Sequence, residues 1–139
     1  MTTSTTPAPG IRTEHRARRR LAVLGVTVLA GLLTWAVLDL VLGVSLSAQT
    51  GPTVRTVGPG AIAFAALLAG GAGWLTLALL ERATGHGRRV WTVLAGVVLT
   101  LSLVGTLGGV TAAAIGGLLA LHLVVGLTII VGLRGRAQD

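Results

Sequence analysis

The sequence predicts an all-α integral membrane bundle of four transmembrane helices, with both termini on the inner side. Three observations predict it. Of the 139 residues, 53% are hydrophobic and 11% charged, with mean hydropathy +0.87, whereas a soluble domain carries about 25% charged residues. Four apolar runs reach the roughly 20 residues a helix needs to cross a hydrocarbon core. Ten of the eleven basic residues, all arginines, fall on one side of those runs.

The chain opens with a polar stretch, "MTTSTTPAPG" (Met1–Gly10), followed by the basic run "HRARRR" (His15–Arg20). Residues 1–20 read as a disordered basic cytoplasmic tail, since they hold too little apolar surface to offset the entropy of ordering. The first span, Leu21–Gly43, contains thirteen Leu or Val residues. It is longer than the about 7–15 residues of a signal-peptide core, and "SLSA" (Ser45–Ala48) has Leu46 where cleavage wants a small residue. The span is therefore expected to be retained. The second, Gly58–Leu80, starts at "GPG", where Pro59 suits a first helical turn because its missing N–H has no partner to lose. The third and fourth, Val90–Gly108 and Ala112–Leu133, are separated only by "GTLGGVT" (Gly105–Thr111), which demands a tight antiparallel hairpin. Residues 134–139 form a second cytoplasmic tail.

Orientation follows from the arginines. An inner N-terminus puts Arg12, Arg16, Arg18, Arg19, Arg20, Arg82, Arg88, Arg89, Arg134 and Arg136 inside and only Arg55 outside, as the positive-inside rule requires. The pI near 12 is thus a topology signal, and it draws the inner face to anionic lipid in the bilayer. A nucleic-acid partner is excluded: Phe64, Trp35, Trp74 and Trp91 are the only aromatics and cannot form a stacking surface. With no cysteine and three scattered histidines (His15, His86, His122), neither a metal centre nor a cofactor is predicted. Arginine without lysine, beside abundant Ala, Gly and Val, reflects a GC-rich genome, hence a bacterial cell membrane.

Polar residues inside the spans are the candidate site. An aspartate at a helix centre costs about 2.5–3.5 kcal/mol on the insertion scale. Asp39 lies about 6 Å from the outer end of its span, either solvated at the headgroups or turned into the bundle on a Gly31–Trp35–Asp39 stripe. His122 sits mid-span and needs a partner that lipid does not offer. Ser102 and Thr106, one turn apart on the third span, complete an expected Asp39–Ser102–Thr106–His122 cluster, read as structural glue ahead of a proton relay. Small residues mark close helix approach: Ala61, Ala65, Ala69 and Gly73 on the second span, and Ala112, Gly116 and Ala120 on the fourth. The fourth-span series lies mostly opposite His122. That helix is either central in the bundle or paired through its second face with another copy. Glu81 can pair with Arg20, Arg88 or Arg89 as an interfacial ion pair.

The motifs "RRLAVLG" (Arg19–Gly25), "VGPGAIAFAALLAGGAGW" (Val57–Trp74), "LLERATG" (Leu79–Gly85), "RRVWTVLA" (Arg88–Ala95), "LSLVGTLGG" (Leu101–Gly109) and "LHLVVG" (Leu121–Gly126) resemble an uncharacterised family of small four-span membrane proteins from high-GC Gram-positive bacteria. The resemblance implies the four-span fold and supplies no activity. Proteins of that family often carry proline after the glycine matching Gly105; Thr106 stands there in this chain, which implies a looser hairpin. The expected role is a non-enzymatic structural or interaction component, packing with itself as a homo-oligomer or with a membrane partner protein. The competing reading is a small proton-coupled carrier using Asp39 and His122. A lone His and Asp without a nucleophile define no reaction, so an enzyme ranks last.

Overall fold

A computed structural model describes the backbone of residues 9–134, with side chains from Arg18 onward except Thr50. Four helices are present. α1 spans Pro9–Ala36 and ends in a wider π-helical turn, Val37–Val41. A short hairpin follows, β1 (Ser47–Thr50) and β2 (Thr53–Thr56). α2 runs Pro59–Ala83; α3 runs Gly87–Gly105, with a 3-10 turn at Thr106–Gly108; α4 runs Ala112–Arg134. α1 lies against α2 and α4, and α3 closes on the other side of the same two helices.

All four helices are long and apolar enough to cross a membrane. No more than 28% of any span is buried within the chain, so most of its hydrophobic surface faces outward. Leu29, Leu33, Leu40, Phe64, Leu101 and Val131 are each at least 60% exposed. Such an apolar girdle is untenable in water and expected in lipid. The hydroxyls inside the spans fit a lipid setting. Thr27, Thr34, Thr76, Thr92, Thr100 and Thr128 each donate to the carbonyl four residues earlier, because hydrocarbon offers no other acceptor.

The helix begins at Pro9, ahead of the expected start at Leu21, so the arginine-rich stretch extends α1. Proline is well placed in a first turn, and Arg, Ala and Glu propagate a helix cheaply once a long apolar span has nucleated it. Residues 1–8 and 135–139, with the polar N-terminal stretch and Arg136, lie outside the described residues. Arg18, Arg19, Arg20, Arg82, Arg88, Arg89 and Arg134 sit at one end of the bundle, together with the backbone of Arg16.

That arginine end is tied across three helices. Glu81 of α2 accepts from Arg20 of α1 at 2.9 Å and from Arg88 of α3 at 3.0 Å. Beneath it, Leu77, Trp91, Ile129 and Leu133 form one core cluster. The indole N–H of buried Trp91 donates to the Gly73 carbonyl at 2.9 Å, binding α3 to α2. The turn between these helices leaves no room at Gly87, where a side chain would begin 2.6 Å from the Leu80 carbonyl oxygen.

The opposite end is closed by the hairpin, an element absent from the sequence reading. Its register pairs Ser47 with Thr56 and Thr50 with Thr53. The two-residue loop Gly51–Pro52 turns through a positive φ of 62° at Gly51, the position where tight hairpins favour glycine. Leu46, 1% exposed, anchors a second cluster with Ile62 and Leu121. Ala48 bridges to Gly109, and the Val110 N–H donates to the Ser47 carbonyl at 3.2 Å. The hairpin thereby docks on the α3–α4 connection. That connection is compact despite Thr106 replacing the expected proline. Thr106 is fully buried and its hydroxyl donates to the Leu103 carbonyl.

Two variants test this account. Gly87→Ala sets a methyl against backbone that cannot yield, and is expected to destabilise the detergent-solubilised protein by about 2 kcal/mol in thermal unfolding. Glu81→Gln removes the charge holding both arginines. A loss of about 1–2 kcal/mol is expected, reduced because the pair is partly solvated; an unchanged melting temperature would show the tie to be idle.

Candidate functional site: a lateral groove between α2, α3 and α4

Between α2 and α3 lies an elongated cavity of about 510 Å³. One wall is the small-residue face of α2, including Ala61, Ala65, Ala69 and Thr76; the other is α3, including Leu94, Val98 and Ser102. Leu118, Leu121, Val125 and Ile129 of α4 form the floor. Val57 lines the groove near the hairpin and Trp91 lines it near the arginine end. Because Trp91 draws α3 onto Gly73 there, the small α2 residues beyond it face open space rather than another helix.

This changes the meaning of the small-residue series. Ala61, Ala65 and Ala69 are exposed groove residues, and only Gly73 meets side chains closely, those of Ile129, Leu133 and Trp91. Within the chain, close approaches fall elsewhere: Gly31 meets Ile62 and Val125, Gly117 meets Leu46, and Gly126 meets Leu99. On α4, Ala112 and Gly116 are exposed, Ala120 is half-buried, and nothing lies within 4 Å of where a Gly116 side chain would begin. Small residues permit contact, but the spacing alone does not say which of two small faces is filled.

The expected polar cluster is not hydrogen-bonded together. Ser102 donates to the Leu99 carbonyl at 2.7 Å and Thr106 to Leu103 at 2.6 Å. His122 Nδ1 lies 2.8 Å from the Leu118 carbonyl oxygen. A carbonyl can only accept, so Nδ1 donates this bond. Each group is thus satisfied by its own helix, a local solution that competes with any tertiary network. The structure still brings two of the four together in a coarser sense, since Ser102 and His122 both line the groove. Thr106 is buried at the α3–α4 turn, outside the groove lining.

Asp39 lies in the π-helical turn at the hairpin end of α1, half-exposed and away from the groove lining. The Leu42 N–H donates to the Val37 carbonyl at 3.0 Å, a five-residue step that inserts a residue into the helical repeat. Among the described residues no three His, Asp or Glu side chains are grouped to hold a metal. The groove itself carried a partial sequence signal, because the small-residue series continues past Ala69 through Ala72 and Gly73 to Thr76.

Four apolar helices, mostly lipid-facing surface and internally bonded hydroxyls define a small multi-pass helical membrane protein. The chain belongs to a family of unknown function (DUF6069), which it matches over residues 11–139. No curated protein and no solved structure matches it.

Removing the Ser102 hydroxyl should matter little if its bond is only to its own helix. Ser102→Ala is expected to shift stability by no more than about 0.5 kcal/mol. A loss of 2 kcal/mol or more, on the order of what a network member would cost, would restore the tertiary cluster.

Proposed function

We propose that this protein is a non-enzymatic packing component of a bacterial cell membrane, with both termini cytoplasmic, that associates with a second copy of itself through α4. One observation carries the reading. Ala112 and Gly116 are exposed on α4, and the space beside Gly116 is open. In lipid, helices associate where small residues let backbones approach, because apolar side chains alone gain nothing over lipid tails. The arginine end meets anionic headgroups of the inner leaflet, where each arginine near the surface is worth about 1 kcal/mol.

The carrier reading ranks second. His122 in the groove wall favours it, while Asp39 lies away from that lining. A proton path through both residues therefore lacks a common cavity.

The chain contains no cysteine, so single-cysteine variants are clean reporters. Gly116→Cys is expected to form a disulfide dimer in native membranes, and Gly116→Leu to abolish dimerisation in detergent-free particles. Monomeric behaviour of both the parent protein and Gly116→Cys would remove the reading. Reporter fusions at the C-terminus and in the Gly51–Pro52 loop should report opposite sides, with the C-terminus inside.

A further inference from the structure

We infer that the α2–α3–α4 groove holds one acyl chain of an anionic membrane lipid, with its headgroup at Arg55 and its chain running toward Trp91. Length accommodates a lipid chain. From Ala61 to Thr76 the groove follows α2 for roughly 22 Å, at 1.5 Å per residue. That is most of the roughly 30 Å hydrocarbon core, so a chain entering at one end lies within the groove.

The wall has matching chemistry. The hydroxyls of Thr76 and Ser102 are turned back to the Ala72 and Leu99 carbonyls, leaving mainly hydrocarbon toward the cavity. Trp91 stands at the arginine end, where its bond to Gly73 holds α2 and α3 together. At the other end the strand leaves β2 directly into Val57, a groove residue. Arg55 is two residues earlier, so the alternation of an extended strand places it on the same side as Val57. Arg55 is exposed and joins no ion pair among the described residues. It is also the one arginine remote from the arginine end of the bundle among those residues. A cation at the mouth of a chain-sized hydrocarbon groove is complementary to a lipid phosphate.

The test uses the full chain carrying Trp35→Phe and Trp74→Phe, which leaves Trp91 as the only fluorescent indole. It is reconstituted into phosphatidylcholine vesicles with increasing fractions of lipid brominated on its chains. Brominated phosphatidylglycerol is expected to quench Trp91 at a several-fold lower mole fraction than brominated phosphatidylcholine. Arg55→Gln should abolish that preference. Ala69→Leu and Ala65→Leu, exposed helix positions that tolerate leucine, should each reduce quenching at least twofold. Leu101→Ala, on the exposed side of α3 and outside the groove lining, should leave quenching intact. Equal quenching by the two lipids in the parent, no effect of either leucine variant, or loss of quenching in Leu101→Ala would each overturn the proposal. So would an Ala65→Cys disulfide dimer, which would put a second copy in the groove. The α4 association is read separately by the Gly116 variants, so either idea can fail alone.

Discussion

The hydrogen bond from Trp91 to the Gly73 carbonyl determines the shape of this bundle. In hydrocarbon an indole N–H must find an acceptor within the protein, and Trp91 finds it on the neighbouring helix. α2 and α3 are thereby joined at one end, where a close turn at Gly87 already forces them together. Beyond that point the facing residues of α2 are Ala61, Ala65 and Ala69, too small to fill the space between the helices. A closed end and an underfilled middle make the groove a direct outcome of where one large polar aromatic and three small residues fall along the chain.

The two ends of the bundle use different chemistry for the same task. At the arginine end, charge at the water boundary links α1, α2 and α3 through Glu81. At the hairpin end, backbone pairing and the buried Leu46 side chain hold the connections against α3 and α4. Neither device requires a large buried core, which suits a chain whose helices spend most of their surface on lipid. α4 is the most buried of the four and supplies the groove floor, so its two faces serve different contacts: Leu121 and Val125 point to the interior while Gly116 looks outward.

Hydropathy made the four spans legible within a few residues, because crossing a bilayer imposes length and apolarity directly on composition. The Glu81 partners were legible as well, since only a few arginines could reach that depth. The hairpin was not: Ser47–Thr56 is short, polar and interrupted by Gly51–Pro52, and it docks through Ala48 and Ser47 against Gly109 and Val110. The polar residues bond locally. Ser102, Thr106 and His122 each pair with a helical carbonyl three or four residues behind them. The π-turn at Val37–Val41 was not legible either, since spacing rules carry no signal for an inserted residue.

The Glu81 tie also imposes an order on biogenesis. Arg20 and Glu81 both precede Arg88 in the chain, so the α1–α2 half of the tie is complete in sequence before α3 is made. α3 then locks onto an existing helical pair only seven residues later in the chain. α4, which lays the floor beneath that assembled frame, arrives last.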